Sequence, residues 1–169
     1  SAFAELARQC GFKKPCRLVV GGQERQDSVS NGLAALSPAV EVVAIQDGAR
    51  PCTSLTLIEA TIVAAREMGA AVAAMPVTDT IKESVDGQRV VRNVDRSRLW
   101  SVQTPQTFRV EVIRQALAEV RQRGLHVTDD TAACELIGQP VQLVPGTSPN
   151  PKVTVPTDLP YIEWLLRSC

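Results

Sequence analysis

Histidine is almost missing from this sequence. His126 is the single one among 169 residues, which excludes a His-rich metal centre and reads as a surface residue ahead of a strand or cap. Net charge is missing too: 18 basic and 18 acidic side chains cancel, so no global field draws the chain to nucleic acid or an anionic membrane. No apolar run approaches the roughly 20 residues that span a bilayer. The cysteines Cys10, Cys16, Cys52, Cys134 and Cys169 are odd in number and never spaced C-x-x-C. That pattern argues against a disulfide framework or a zinc site and for reduced intracellular thiols. The sequence opens Ser1-Ala2-Phe3 with neither an initiator Met nor the basic and apolar regions of a signal peptide.

What is present is ordinary globular material, 44% hydrophobic and 21% charged, in the amount of one domain. A compact globule of this mass exposes on the order of 8,000 Å². Strand-like and helix-like segments alternate, which predicts an α/β fold with a mainly parallel sheet and helices on both faces. Residues 2–10 read as a short helix and Arg17-Leu18-Val19-Val20 as a strand running into Gly21-Gly22. Ser28 is placed as the cap of a helix carrying Val29, Leu33 and Leu36. Glu41 to Ile45 reads as a strand, Ser54 as the cap of a helix that ends at Gly69, and Ala70 to Met75 as a strand buried on both faces. Arg96 to Phe108 reads as a loop, followed by an amphipathic helix with Ile113, Leu117 and Val120 that ends at Gly124. Thr128-Asp129-Asp130 opens another short helix ending at Gly138, and Val141 to Val144 reads as the last strand. A final helix is capped near Thr157 and Asp158.

One stretch departs from the alternation. Thr80 to Val85 and Gln88 to Asn93 flank Asp86-Gly87, a signal for a hairpin closed by a type I′ turn. These strands are rich in charge, so the hairpin is expected to project from the domain. An isolated two-stranded ribbon is marginal in water, and a second copy of the chain is the economical partner.

Ligands of open α/β sheets sit at the carboxyl ends of strands. Here those ends hold Gly21-Gly22-Gln23-Glu24-Arg25, Asp47-Gly48-Ala49-Arg50-Pro51, Thr78-Asp79-Thr80-Ile81-Lys82 and Asn150-Pro151-Lys152, joined by Arg96, Gln103, Thr104 and Gln106. Cations, hydroxyls and a few carboxylates in one crevice suit a phosphorylated, polyhydroxylated ligand. Each piece also has a plain reading: Asp47 and Arg50 as an ion pair in a tight turn, Lys82 as a solvated side chain, Thr128-Asp129-Asp130 as an N-cap.

The order of the motifs adds to this. Gly-Gly-x-x-Arg-x-x-Ser-Val-x-x-Gly-Leu (21–33), Asp-x-Ala-Arg-Pro (47–51) and Pro-Val-x-Asp-Thr-Ile-Lys (76–82) come first. Val-Asp-Arg-x-x-Leu-Trp-x-x-Gln-Thr-Pro-Gln-x-Phe (94–108), Thr-Asp-Asp (128–130) and Asn-x-Lys-Val-Thr (150–154) follow. The series resembles the 2-C-methyl-D-erythritol 4-phosphate cytidylyltransferases of the non-mevalonate isoprenoid pathway, over essentially the whole chain. The resemblance implies a Rossmann-like nucleotidyltransferase domain over 1–169, with 79–94 as a dimerisation arm. It implies cytidylyl transfer from CTP to methylerythritol phosphate with release of pyrophosphate, and Mg²⁺ held mainly by the CTP phosphates rather than by protein ligands. A ribitol-5-phosphate or related sugar-phosphate cytidylyltransferase is the neighbouring alternative, and a non-catalytic dimerising or binding module the alternative from another class.

Carried over by position, the resemblance places Gly22, Gln23, Ser28, Asp47, Gly48 and Lys152 at CTP. It places Asp47, Arg50, Thr80, Arg96, Thr104, Thr128, Lys152 and Thr154 at the sugar phosphate, with Arg96, Lys152, Asp47 and Arg50 as the catalytic set. Thr80 and Arg96 would complete the site of a partner subunit in a homodimer. The implied setting is the cytoplasm of a bacterium, or a plastid. Gln46-Asp47-Gly48 stands where the family has His-Asp-Ala, which leaves the carboxylate in place.

The family's opening strand and its Ala-Ala-Gly-x-Gly-x-Arg phosphate loop do not occur in these 169 residues. That loop wraps the triphosphate with backbone amides, and one such donor is worth about 3–4 kcal/mol in the transition state. These 169 residues by themselves are therefore expected to be poorly soluble and to transfer cytidylyl groups negligibly. Formation of CDP-methylerythritol at a rate comparable to that of a full-length homologue would refute this.

Overall fold

The computed structural model describes residues 2–11 and 14–167. Two helices come first, α1 (Ala2–Gln9) and α2 (Arg25–Ala34), then strand β1 (Val42–Ile45), helix α3 (Leu55–Met68) and strand β2 (Ala70–Pro76). A small ribbon follows, β3 (Lys82–Glu83) and β4 (Arg92–Asn93), then a 3₁₀ turn at Arg96–Arg98 and the long strand β5 (Trp100–Arg109). Helices α4 (Val110–Gln122) and α5 (Asp130–Leu136), strand β6 (Gln142–Pro145), a 3₁₀ turn at Pro156–Asp158 and helix α6 (Leu159–Arg167) complete the chain.

The central sheet runs β1-β5-β2-β6. The α/β class with helices on both faces stands, and three of the four strands run in one direction, with β5 reversed between β1 and β2. β5 pairs antiparallel with both β1 and β2, and only β2–β6 is parallel. The cause is the segment read as a loop from Arg96 to Phe108, which enters the sheet as a central strand. Its polar run Gln103-Thr104-Pro105-Gln106-Thr107 hides the strand signal, and proline is normally confined to edges or bulges. The sheet accommodates Pro105 at an irregularity, where the register with β2 shifts between Val72 and Ala74.

Alternation along β5 sorts its two faces. Phe108 is fully enclosed and joins Ile113, Ala116, Leu117 and Val120 of α4, Ala133 and Cys134 of α5, and Leu33 of α2. Its neighbour Thr107 points the other way and shares a hydrogen bond with the Thr61 hydroxyl of α3 across 3.0 Å, both side chains being buried. Burial pushes the Cys134 thiol up to about 12, which keeps it protonated and inert.

Local signals elsewhere act as the sequence predicts. The Ser54 hydroxyl accepts from the Leu57 amide at the start of α3, and Gly69 ends that helix at φ 90°. Gly124 and Gly138, both at positive φ, follow α4 and α5. The Asp158 carboxylate accepts from the amides of Thr154 and Val155 ahead of α6.

Three local expectations are corrected. Ser28 lies inside α2, which begins three residues earlier behind Glu24; the Asp27 carboxylate accepts from the Glu24 amide there. Arg17 to Val20 is exposed and irregular, because among the described residues no strand lies beside it to take its hydrogen bonds. The hairpin is observed, but its register pairs Glu83 with Arg92, so the turn is longer than two residues. Only Gly87 has a positive φ, and the Asp86 carboxylate bridges the amides of Gln88 and Arg89 instead of forming a type I′ turn. Those two amides hold the Asp86 carboxyl down at about 2. Their contribution to the turn is complete above the ordinary carboxylate range and is lost as pH falls toward that value.

The chain exposes 11542 Å², well above the compact expectation, and the excess includes Leu18, Val20, Val85, Val90 and Trp164. The core is carried by the α4–α5 face. Phe108→Ala is expected to cost about 3–5 kcal/mol, read as a lowered urea midpoint at unchanged slope.

Candidate functional site

The carboxyl end of β1 and the residues after β6 are fastened to each other. Arg50 donates to the Asn150 carbonyl at 2.7 Å, and the Val153 amide donates to the Ala49 carbonyl at 2.8 Å. Asn150, only 4% exposed, is the hub. Its side-chain oxygen accepts from Thr53 at 2.9 Å, and its amide nitrogen donates to the Thr104 carbonyl at 2.8 Å and to the Gln103 side chain at 3.2 Å. Thr104 in turn offers its hydroxyl oxygen to the Asp47 amide at 3.1 Å. Gln46 donates to Thr53 at 2.9 Å and so braces the same turn, which accounts for a glutamine beside Asp47.

These ties build a cleft of about 280 Å³ at the sheet's end, lined by Arg25, Asp47, Arg50, Gln103, Thr104, Gln106, Thr128, Asp129 and Lys152 with Val102 at its wall. The Asp47 carboxylate is its electrostatic centre. Lys152 Nζ lies 3.0 Å from Asp47 Oδ2, and Arg50 Nε lies 3.6 Å from the same oxygen. Arg50 Nε is buried and makes no hydrogen bond, so a donor is left unused inside the cleft. A buried donor without a hydrogen bond costs about 1–3 kcal/mol, offset here in part by the charge of Asp47 3.6 Å away. Lys152 is half exposed, its ammonium reachable from solvent while anchored on Asp47.

The opposite wall is organised by Gln106, whose side chain is 3% exposed. It donates to Asp129 at 3.0 Å and accepts from the Asp130 amide at 3.0 Å. Asp129 caps α5 by accepting from the Ala132 amide, so its plain reading as an N-cap holds. Asp130 is fully buried and accepts from Arg25 at 2.6 Å. Burial pushes the Asp130 carboxyl up, and the Arg25 guanidinium pulls it back in part.

Of the residues singled out in the sequence, the fold brings Asp47, Arg50, Thr104, Thr128 and Lys152 into one cleft. Gly48, Thr154, Gly22, Gln23, Ser28, Thr80 and Arg96 lie outside its lining. The Thr154 hydroxyl faces the Lys152 carbonyl at 3.4 Å. Gly22 donates its amide to Ser28 at 3.0 Å, closing the glycine loop onto α2. Arg96 donates to the Thr78 carbonyl at the foot of the ribbon, and Lys82 donates to Asn93 at 2.9 Å on its exposed surface. Thr53, and the buried roles of Asn150 and Gln106, were not legible. Their signal, amides and hydroxyls in stretches read as loops, acquires meaning only once β5 is seen to be central. Among the described residues no group of three or more His, Cys, Asp or Glu could hold a metal ion, and no helix is long and apolar enough to cross a membrane.

Removing the hub tests this construction. Asn150→Ala removes the donor to the buried Thr104 carbonyl and one of the Thr53 hydroxyl's partners, and is expected to cost about 1–3 kcal/mol in chemical denaturation. Asn150→Asp, which keeps the oxygen for Thr53 but loses both donors, should not restore it.

Comparison with known proteins agrees with the motif order. The family model for IspD, 2-C-methyl-D-erythritol 4-phosphate cytidylyltransferase, matches residues 1–168. The enzyme of that name from Pelotomaculum thermopropionicum is 43% identical over 163 residues, 96% of this chain and 68% of the relative. That from Geobacillus kaustophilus is 43% identical over 99% of this chain and 73% of its own length. Among solved structures, the Thermus thermophilus enzyme superposes with a TM-score of 0.82 at 37% identity, covering 92% of this chain and 78% of that one. The Anaerococcus prevotii synthase gives 0.87 at 29% identity, covering 98% and 73%. Both neighbours bear out the Rossmann-like α/β reading of the fold.

Proposed function

The chain belongs to the IspD family, 2-C-methyl-D-erythritol 4-phosphate cytidylyltransferase, and from this we propose that its cleft serves cytidylyl transfer from CTP to methylerythritol phosphate. The observation that carries the reading is the Asp47–Lys152–Arg50 constellation at the sheet's end. It joins two cations to one carboxylate where a polyhydroxylated phosphate ester can meet a triphosphate. The family match favours methylerythritol phosphate over ribitol 5-phosphate.

In the reaction, an oxygen of the sugar phosphate forms a bond to the α-phosphorus of CTP while the bond to the β-phosphate oxygen breaks, releasing pyrophosphate. Two anions must approach, so catalysis is chiefly positioning and neutralisation of charge. Lys152, already held 3.0 Å from Asp47, supplies an ammonium between the two phosphates. Arg50, paired with Asp47, adds its positive charge beside the incoming phosphate. Thr104 and Thr128 offer hydroxyls, and Asp47 accepts from substrate or ribose hydroxyls once Lys152 turns toward phosphate. Gly22, Gln23 and Ser28 are assigned to the cytosine end, Gly48 to the ribose and Thr154 to the sugar-phosphate pocket. Mg²⁺, when bound with the nucleotide, would supply further neutralisation, held mainly by the CTP phosphates.

Arg96 and Thr80 belong to the partner's site in this reading. The ribbon that precedes Arg96 carries exposed Val85, Val90 and Val91, an apolar surface that a second subunit would cover in a homodimer through residues 79–94. The bacterial relatives and the exclusion of membrane-spanning helices among the described residues are compatible with work in the cytoplasm.

The test is turnover of the intact enzyme on CTP and methylerythritol phosphate. Lys152→Ala and Arg96→Ala should each lower kcat/KM by about 100–1,000-fold, while Lys82→Ala stays near the parent value. Equal effects from all three would refute the site assignment. Mixing Lys152→Ala with Arg96→Ala subunits should regenerate some activity, because mixed dimers then carry one site with both cations. A monomer in sedimentation would overturn the shared site.

A further inference from the structure

The loop Gly21–Glu24 stands apart from the sheet. Its described hydrogen bonds run to its own helix: the Gly22 amide to Ser28, the Glu24 amide to Asp27, and the Glu24 carbonyl from the amides of Asp27 and Ser28. The fit is close, since a Cβ on Gly22 would fall 2.1 Å from that of Asp27. Loop and first turn therefore form one unit, and what fixes that unit fixes the loop.

Two contacts do so. On the outer side, Gln26 donates to the Leu125 carbonyl at 3.1 Å and accepts from the Val127 amide at 3.2 Å. On the cleft side, Arg25, the first residue of α2, donates to Asp130 at 2.6 Å. Asp130 is itself immobilised: its side chain is 1% exposed and its amide is held by Gln106 of the central strand. Its second oxygen is enclosed and takes no hydrogen bond. A buried ion pair left half satisfied contributes little net stability, so orientation is the larger part of what this one supplies.

We infer that Asp130, through Arg25, is the positioning element that clamps the Gly21–Glu24 loop beside the cleft and thereby sets nucleotide affinity without entering the chemical step. The inference rests on the assignment of Gly22 and Gln23 to the cytosine end. Arg25 is 38% exposed and lies beside Asp47 at the cleft's edge, so a shift of its guanidinium carries the loop with it. The sugar phosphate, placed at Arg50, Thr104 and Lys152, is held by elements that α2 does not anchor.

Steady-state kinetics of the intact enzyme, varying CTP and methylerythritol phosphate separately, tests it. Asp130→Asn and Arg25→Ala should each raise KM for CTP tenfold or more, with kcat and the other KM changed less than about threefold. Arg25→Lys, which keeps a charge for Asp130, should recover part of the loss, and the double variant should be no worse than either single one. Arg114→Ala is the structural control, since Arg114 holds the far end of α2 through the Leu33 carbonyl at 2.8 Å. It should lower stability without the split. Should Asp130→Asn fail to fold, the Arg25 variants decide. An unchanged KM for CTP in them, or equal damage to kcat and both KM values, overturns the inference. If the parent enzyme itself transfers no cytidylyl group, the functional reading fails. The clamp is then judged by hydrogen exchange of amides 21–24, which must quicken in Arg25→Ala and not in Arg114→Ala.

Discussion

Asn150 is the side chain on which the cleft depends. Burying an amide without partners is costly, and burying one with every partner in place makes the arrangement unique. Here a single residue ties the turn after β1, through Thr53, to the central strand, through Thr104 and Gln103, while its carbonyl receives Arg50. Lys152 follows two positions on, so its ammonium inherits that fixity and meets Asp47 at 3.0 Å. Long lysine side chains are entropically loose, and anchoring the backbone beneath one is how a fold confines its charge to a small volume.

The central strand explains why hub and core coexist. Along β5 the residue nearest α4 is the apolar Phe108, while at the sheet's end Thr104 and Gln106 are polar and buried and Gln103 is half-buried. The first group stabilises by excluding water; the second presents amides and hydroxyls to Asn150, Asp47, Asp129 and Asp130. One strand thereby links the stability of the hydrophobic face to the geometry of the cleft, which lies at the carboxyl end of β1 as open α/β sheets favour.

The distribution of charge follows the same division. A chain with no net charge concentrates Arg25, Arg50 and Lys152 around Asp47, Asp129 and Asp130, so the field is local and shaped by the cleft. The cations are held by carboxylates, which keeps them fixed before a ligand arrives and limits reorganisation when a phosphate replaces a carboxylate as partner. The ribbon lies apart from this system; its ion pairs, Arg92 with Glu83 and Arg89 with Asp86, are exposed and serve its own turn.

Much was legible in the residues alone. The helices announced by Ser54, Gly69, Gly124 and Asp129, the buried strand Ala70 to Met75 and the existence of a hairpin at Asp86-Gly87 follow from local chemistry, because caps, positive-φ glycines and apolar runs act within a few residues. The motif order likewise pointed to Asp47, Arg50, Thr104, Thr128 and Lys152, which meet in one cleft. Only the tertiary structure decided that Trp100 to Arg109 is a strand between β1 and β2, that Arg17 to Val20 is not one, and that Asn150 and Gln106 organise the cleft. Strand pairing and the satisfaction of buried polar groups depend on partners dozens of residues away, and no local window of sequence contains them.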